Sequence, residues 1–354
     1  NPSSRSHRPG RAAFTALEDA RAKVAQKLGA RSSTEIYFTS GATEANNLAL
    51  RGIAQAQADR GRHLITQVTE HPSVLEPLRS LRRNGWELTE VGVDENGRLR
   101  IDDLAAALRD DTILVSLMHA NNETGTLQPV RQAAALVHQR GALLHCDAAQ
   151  SVGKVGVDVS DLGVDLLTLS GHKLYAPKGI GALYVRRTKP ALNVHPLLLG
   201  GGHESGLRSG TPNLPGAAGL ACAVEIAVDA LEAEGHQIAE LRDRLEASVV
   251  GNLENCTING EPDHRLPGTT NLSFAGVEGN ALLASLPDLA VSSGSACTSS
   301  HSEASPVLLA MGVSPSLARA SLRLSVGRFT TSDDVDRAAQ RIVEEVQRLR
   351  SLRR

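Results

Sequence analysis

The sequence has few aromatic residues and almost no net charge. Its 354 residues include four Phe, three Tyr and one Trp, and 37 Lys and Arg stand against 39 Asp and Glu, which gives a formal net charge of −2. Proteins that bind nucleic acid directly usually carry a basic face with interleaved aromatic side chains. The composition therefore disfavours a general nucleic-acid binder, and we expect no direct nucleic-acid partner.

Cysteines and long apolar runs are scarce too. The chain has four cysteines, Cys146, Cys222, Cys256 and Cys297, and no two of them have the C-x-x-C spacing. Neither a disulfide framework nor a structural zinc site is therefore indicated. No apolar run approaches the ~20 residues that span a bilayer, and no signal peptide opens the chain. We expect a cytoplasmic protein in a reducing compartment, with no membrane partner.

The first half of the chain alternates short apolar runs with helical patterns. Such runs predict strands at 36–39, 63–68, 86–91, 112–118, 142–147, 166–170 and 180–185. Helical patterns lie between most of them, at 74–83, 101–108 and 131–140. This repetition of strand and helix predicts an α/β domain with a mostly parallel seven-stranded sheet.

The pattern changes after residue 216. A Gly- and Pro-rich stretch gives way to an apolar stripe at three- and four-residue spacing, which predicts a connecting helix over 217–250. Further on, strands are predicted at 270–274, 290–293 and 321–325, and a closing helix at 333–350. The sequence therefore predicts a large domain over 1–216 and a smaller α+β domain over 251–354.

Unusual polar residues follow several predicted strands, at the sheet edge where α/β proteins bind ligands. The turn 40–44 leads into a helix, so backbone N–H groups and the Thr43 hydroxyl could bind a phosphate; ordinary helix capping explains the same residues. Asp147 ends an apolar strand. A buried carboxylate there needs a cation or a strong donor, unless Asp147 caps a helix.

A lysine follows another strand end, with a hydroxyl and an imidazole beside it. Lys173 comes after the strand that ends in Ser170, and His172 precedes it. A lysine in a site of low dielectric has a lowered pKa and can attack a carbonyl. Combined with Asp147 and the phosphate-type turn, Lys173 indicates pyridoxal phosphate, which needs a lysine, an acid at its ring nitrogen and an anion cradle.

Two further side chains could take part in chemistry. His71, after the strand at 63–68, could stack on a cofactor ring and move protons near neutral pH, or it could be a packed loop residue. Cys297 lies in a small, polar, Gly-containing segment, a setting in which a thiolate can attack, although ordinary loop cysteines occur there too. Cys146 in a strand, Cys222 on the helix stripe and Cys256 in a polar turn are interpreted as structural or inert.

These residues lie in motifs that resemble the cysteine desulfurases of the NifS/IscS type. The motifs, in family order, are SGATEANN, TEHPSVLEPL, HANNETG, HCDAAQSVGK, SGHKLYAPKGIGALYVRR, GGGHESGLRSGT, VSSGSACTS and LRLSVGRFT. The resemblance covers nearly the whole chain. It implies the pyridoxal-phosphate transferase fold type I, similar to aspartate aminotransferase, and a homodimer.

The resemblance also implies roles for individual residues. Lys173 would bind pyridoxal phosphate covalently, Asp147 would face the pyridine nitrogen and His71 would stack on the ring. The other cofactor contacts it implies are Gln150 at the phenolic oxygen, Asn122 at the ring and the substrate, Ala42, Thr43, Ser170 and His172 at the phosphate, and Thr211 at the phosphate of the neighbouring subunit.

For the substrate, the resemblance implies that Arg323 clamps the carboxylate of L-cysteine, helped by Asn1 and Asn122. Lys173 and His71 would carry protons, and Cys297 would attack the substrate sulfur, leaving a persulfide and L-alanine. The sulfur would then pass to acceptor proteins for iron–sulfur cluster assembly, another thio-cofactor or nucleic-acid modification. No stable metal site is implied, although Cys297 could transiently ligate an iron–sulfur cluster with a scaffold partner.

The chain departs from the family pattern at both ends. Family members usually carry a segment like Y-L-D-x-x-A-T-T-P before the residue that matches Asn1; we expect that it was removed or that the gene product is longer, and that residues 1–15 belong to the small domain or the substrate mouth. The chain stops at Leu352-Arg353-Arg354, so the resemblance carries no expectation of scaffold docking through a longer tail.

Other functions fit the same fold. A selenocysteine lyase or an aminotransferase would share Lys173, Asp147 and the phosphate cradle, so that Cys297 and its loop discriminate between them and a desulfurase. A non-enzymatic scaffold is the further alternative, and it would bind no cofactor at Lys173.

Overall fold

The computed structural model describes residues 1–293 and 304–352. It divides into two compact units. The larger unit comprises Asn1–Val91, Arg100–His119 and Gln128–Leu231, and the smaller comprises Gly92–Leu99, Ala120–Leu127 and Glu232–Arg354. Two short internal segments thus belong to the smaller unit although the sequence predicted one unbroken large domain over 1–216.

The larger unit is built on a seven-stranded sheet within the described residues. Its strands are β1 (Ile36–Thr39), β2 (His63–Gln67), β3 (Glu87–Val91), β4 (Thr112–Met118), β5 (Leu143–Asp147), β6 (Leu166–Ser170) and β7 (Gly181–Val185). The order is β1-β7-β6-β5-β4-β2-β3. All pairs from β6 to β3 are parallel, whereas β7 runs antiparallel to both β1 and β6. The predicted mostly parallel sheet is confirmed.

Helices surround this sheet. They are α1 (Arg8–Lys27), α2 (Ala42–Ala56), α3 (Pro72–Arg83), α4 (Ile101–Ala107), α5 (Val130–Gln139), α6 (Val159–Leu162) and α7 (Leu214–Asp229). On α2, Leu48 and Ile53 pack with Leu64 of β2 and Leu114 of β4 in one buried cluster. Burying each such side chain contributes roughly 1.5–3 kcal/mol. This cluster fixes α2, and with it the turn before α2, against the sheet.

The predicted connecting helix is two helices. After α7 the chain leaves the helical path at Ala230 (φ −94°, ψ 2°) and resumes as α8 (Leu231–Asn252). The apolar spacing runs on across this single residue, which is why the sequence did not reveal the break. Cys222 of α7 is exposed and not on the buried stripe. Among the described residues no single helix is both long and apolar enough to cross a membrane; α7 and α8 meet the two criteria only together, with a bend of 75° between them.

The smaller unit contains an antiparallel sheet in the order β10-β9-β8. Its strands are β8 (Cys256–Asn259), β9 (Thr269–Phe274) and β10 (Ser321–Ser325), and its helices, besides α8, are α9 (Gly279–Ser285), α10 (Pro306–Ala310), α11 (Pro315–Arg319) and α12 (Ser332–Ser351). The sequence missed β8, placing Cys256 in a turn, because both central residues of that strand are exposed. The strand predicted at 290–293 is wrong: these described residues form only an isolated bridge, from Ser292 to Arg323.

The first residues of the chain belong to the larger unit. Pro2 is buried, and α1 packs against α7 with Leu17 and Val24 on its buried side. The expectation that residues 1–15 join the small domain is therefore not met, because the helix that begins at Arg8 buries its apolar side within the larger unit. Their alternative place at the substrate mouth stays a prediction.

A buried ion pair joins α1 to a turn near residue 204. The Arg21 guanidinium donates to both carboxylate oxygens of Glu204, at 2.7 and 2.8 Å. Glu204 also accepts the Phe38 N–H of β1 at 2.8 Å, and Arg21 donates to the Ile36 carbonyl at 2.7 Å. Glu204 and its neighbour Ser205 have positive φ angles of 49° and 54°. The carboxylate therefore holds a strained turn against β1.

We predict that Glu204→Gln destabilises the protein by about 2 kcal/mol, because it removes charged hydrogen bonds of the buried Arg21 and leaves it only the part-exposed Glu18 carboxylate at 3.3 Å. The free energy of unfolding from urea titration measures this change. Glu225→Gln, which breaks the exposed pair with Lys23, is the matched control and should leave the urea midpoint nearly unchanged. Equal effects of the two substitutions would contradict the structural role of Glu204.

Candidate active site

Asp147, the last residue of β5, is buried and hydrogen-bonded on both oxygens. Oδ2 accepts the Asn46 amide at 2.8 Å, and Oδ1 accepts the Ala149 N–H at 2.9 Å. Burial raises the pKa of Asp147, although these donors and the charges of His71 and Lys173 oppose the rise. The predicted need of this carboxylate for strong donors is thus met by an amide and a backbone N–H.

Lys173 lies close enough to Asp147 and His71 to act on the pKa of each. It belongs to a short 3₁₀ turn, Gly171–Lys173, that follows β6. Lys173 is exposed in the single chain, because β6 ends at Ser170 and the turn leads away from the sheet. The low-dielectric setting of this lysine stays a prediction. His172 is exposed beside it, and burial and the charges of Lys173 and Lys178 lower the pKa of its imidazole.

His71 caps the N-terminus of α3 with its ring. Its Nδ1 atom accepts the Ser73 N–H at 3.1 Å and lies 2.8 Å from the Ser73 hydroxyl oxygen. Burial lowers the pKa of His71, and the charge of Lys173 lowers it further while that of Asp147 opposes. The ring is therefore held in place and favoured in its neutral form.

The turn before α2 leaves the start of that helix open. Gly41 precedes α2, and no side chain caps the helix. Glu44 instead accepts the Ser40 N–H at 2.9 Å and the Arg208 guanidinium at 2.8 and 3.2 Å. A Cβ at position 41 would lie 3.8 Å from the Ser170 hydroxyl, so that hydroxyl adjoins the residues that start α2, Ala42 and Thr43. Unused N–H groups with adjacent hydroxyls fit a phosphate.

Glu70, Asn46 and Ser73 also belong to this site, and none of the three is a predicted site residue. Glu70 is buried and one of its oxygens accepts the Met118 N–H, whereas the other has no partner among the described residues. Burial and the Asp147 charge raise the pKa of Glu70 well above its usual range. Both Glu70 and Ser73 lie within the motif that contains His71, and Asn46 lies within SGATEANN. Those motifs were the available signal.

The other predicted residues fall in both units. In the larger unit, the side-chain oxygen Oε1 of Gln150 accepts from the Lys154 ammonium at 3.1 Å. The exposed Asn1 side chain accepts the Ser3 N–H at 3.0 Å, and Thr211 is exposed. In the smaller unit, the Arg323 guanidinium donates to the Asn122 carbonyl oxygen at 3.1 Å, so those two predicted residues meet. Cys297 lies outside the described residues.

The fold and this site are those of a pyridoxal-phosphate-dependent enzyme. Residues 1–338 match the family described as Aminotransferase class-V, whose members depend on pyridoxal phosphate. The site fits this cofactor: the open start of α2 suits its phosphate, the buried Asp147 suits its pyridine nitrogen, and the adjacent Lys173 suits its aldehyde.

Similar proteins narrow this class. The chain is 50% identical to a cysteine desulfurase IscS of Anaeromyxobacter sp. (strain Fw109-5), with 99% of this chain and 87% of that protein covered. Its fold is similar to a solved NifS-like protein (TM-score 0.91, 36% identity, covering 99% and 92%). It is also similar to a structure described as SspA in complex with cysteine (TM-score 0.80, 36% identity, covering 94% and 92%). The chain therefore belongs to the class-V aminotransferase family and, within it, to the NifS/IscS-type cysteine desulfurases.

We predict that Glu70→Gln stabilises the protein more at pH 8 than at pH 5. The pKa of Glu70 is raised in the folded protein, whereas an unfolded glutamate ionises near about 4.3. The wild type therefore loses stability as the pH rises above that value, because the unfolded state releases a proton that the folded state keeps. Glutamine has no proton to release.

The free energy of unfolding at both pH values tests this prediction. Glu76→Gln, at an exposed position of α3, is the matched control and should show no such trend. A Glu70→Gln variant whose advantage over the wild type shrinks toward pH 8 would show that Glu70 is ionised in the folded protein.

Proposed function

We propose that the protein is a pyridoxal-phosphate-dependent cysteine desulfurase that converts L-cysteine to L-alanine and passes the sulfur to acceptor proteins. The observation that carries this proposal is the meeting of Asp147, Lys173 and His71 at the carboxyl edge of the large sheet, beside the open start of α2. The similarity to SspA, which was solved with cysteine, supports L-cysteine as the substrate.

Each of these residues has a role toward the cofactor. Pyridoxal phosphate supplies an electron sink that weakens the bonds at the substrate Cα. Lys173 would hold the cofactor covalently and move the proton at that carbon, while Asp147 would accept a hydrogen bond from the ring nitrogen. The free N–H groups at the start of α2, with Thr43, Ser170 and His172, bind the phosphate. Gln150 and Asn122 would contact the ring, and His71 would stack on it.

Arg323 binds the substrate, and Cys297 accepts its sulfur. Arg323 binds the substrate carboxylate with two parallel hydrogen bonds, and Asn1 assists. The Cys297 thiolate attacks the substrate sulfur: a sulfur–sulfur bond forms on Cys297 while the bond between substrate Cβ and sulfur breaks. The electron pair of that broken bond stays with the carbon, which takes up a proton to become the methyl group of L-alanine. Cys297 is left as a persulfide.

The location and partners follow from this chemistry. A persulfide carrier needs a reducing compartment, so we place the protein in the cytoplasm. The acceptors are proteins of iron–sulfur cluster assembly or of thio-cofactor and nucleic-acid modification. The proposal includes a homodimer in which Thr211 of each subunit binds the phosphate held by the other.

We predict that Cys297→Ser retains the absorbance of the bound cofactor but abolishes sulfide release from L-cysteine in the presence of a reductant. The substitution removes the sulfur acceptor and leaves the cofactor residues intact. Cys222→Ser, at an exposed cysteine of α7, is the control and should release sulfide at the wild-type rate. Undiminished release from Cys297→Ser would refute the desulfurase mechanism and favour a different reaction on the same fold.

We also predict that two inactive variants restore activity when they are mixed. Lys173→Ala lacks the tether and Thr211→Val lacks the hydroxyl for the neighbouring phosphate. In a mixed dimer one site would carry both defects and the other neither, so about half of the wild-type activity should return per mixed dimer. Refolding the two variants together and separating the dimers by distinct tags measures this. Absence of any recovery in isolated mixed dimers would contradict the shared site.

A further inference from the structure

Four side chains form a hydrogen-bonded chain from the Asp147 carboxylate to the His71 ring. The Asn46 amide nitrogen donates to Asp147 Oδ2 at 2.8 Å and to Ser73 Oγ at 2.9 Å, and Ser73 Oγ lies 2.8 Å from His71 Nδ1. Asn46 and Ser73 are both buried. The chain thus links α2, α3 and the end of β5 beneath the site.

The donors in this chain determine where the hydrogen on the His71 ring lies. The backbone N–H of Ser73 can only donate, and it points to His71 Nδ1 at 3.1 Å. That nitrogen therefore carries no hydrogen, and the hydrogen of the neutral ring is on Nε2. Since Ser73 Oγ already accepts from Asn46, its own hydrogen is free to point to Nδ1 as well.

We propose that Ser73 and Asn46 are positioning residues that hold the His71 ring by Nδ1, with its hydrogen on Nε2, and that tie the ring to the Asp147 carboxylate. The inference rests on the proposed function, in which Asp147 and His71 both face the cofactor. A histidine that merely caps α3 would need the Ser73 N–H alone. The bonds through Asn46 to Asp147 have no part in capping, and they distinguish the positioning role.

This arrangement opposes protonation of His71. An added proton would bind to Nδ1. The Ser73 N–H would then face the new N–H of the ring, and the hydrogen of the Ser73 hydroxyl would also have to turn away from it. Hydrogen bonds to the neutral form of a base lower its pKa, in the same direction as burial. Among the described residues, the charged or titratable groups near the ring are Asp147 of β5, Lys173 of the turn after β6 and Glu70, which precedes His71 in the chain. Arg51 of α2 and Glu76 of α3 line the same cavity.

The titration of His71 in the cofactor-free full-length chain tests the proposal without any turnover. Ring ¹⁵N and ¹H resonances of histidine-labelled protein report the midpoint, and His71→Asn identifies the signal among the 12 histidines. In Ser73→Ala we expect the midpoint to rise by about half to one pH unit, the size of one lost hydrogen bond to the neutral form. Ser73→Thr keeps the hydroxyl and should restore the wild-type midpoint.

Two controls make the outcome decisive. Ser80→Ala, on the same helix and lining the same cavity, should leave the midpoint unchanged. The wild-type ¹⁵N spectrum above the midpoint needs no variant, and it should show Nδ1 without and Nε2 with hydrogen. A hydrogen on Nδ1, or a midpoint that Ser73→Ala does not move, would overturn the proposal.

In the loaded enzyme, the acidic limb of the pH profile for sulfide release should move with the His71 midpoint in Ser73→Ala and return in Ser73→Thr. A protein that shows the expected titration but releases no sulfide would refute the proposed function and leave the positioning of His71 intact. An acidic limb that stays in place while the midpoint moves would contradict a role of this positioning in the reaction.

Discussion

A carboxylate buried at the end of a parallel strand determines the arrangement of the larger unit's site. Removing the Asp147 charge from water costs several kcal/mol unless strong donors replace the water. Asn46 and the Ala149 N–H supply them, and Asn46 extends the same network to Ser73. Glu70, a second buried acid, has a donor for only one of its oxygens among the described residues, and burial and the Asp147 charge raise its pKa well above the usual range. The Asp147 charge thus adds to the effect of burial on Glu70 and opposes it on His71.

The fold was largely predictable because most strands of the large sheet are apolar runs buried along their length; β3, which contains Glu87 and Glu90, is the exception. All seven strands of the large sheet lie within one residue of their predicted bounds, since β4 and β6 are buried throughout. Elements with weak contrast were missed: β8 has two exposed central residues, and the break at Ala230 spans one residue within an unbroken apolar spacing. Two short segments belong to the smaller unit, Gly92–Leu99 and Ala120–Leu127. Their place depends on contacts between distant parts of the chain, which the periodicity of apolar residues does not reveal.

Site residues that lie in a recognisable motif could be predicted from the sequence. Contacts between residues that are far apart in the sequence could not. Asp147, Lys173 and His71 follow strand ends, which identified them as candidates. The contact of Asn46 with Asp147 joins residues 101 positions apart, and that of Glu70 with Met118 joins residues 48 apart. The packing of neighbouring segments likewise determines that Lys173 is exposed. It also determines that Glu44 pairs with Arg208 and does not cap a helix.

The ion pair between Arg21 and Glu204 has a consequence for association. β1 lies at one edge of the sheet, and an edge strand offers unpaired N–H and C=O groups to any other chain that is extended. Here the Phe38 N–H is bonded to Glu204 and the Ile36 carbonyl to Arg21. An incoming strand would have to displace a buried charged pair to form those two bonds. The pair therefore closes this edge against strand addition and the aggregation that follows from it.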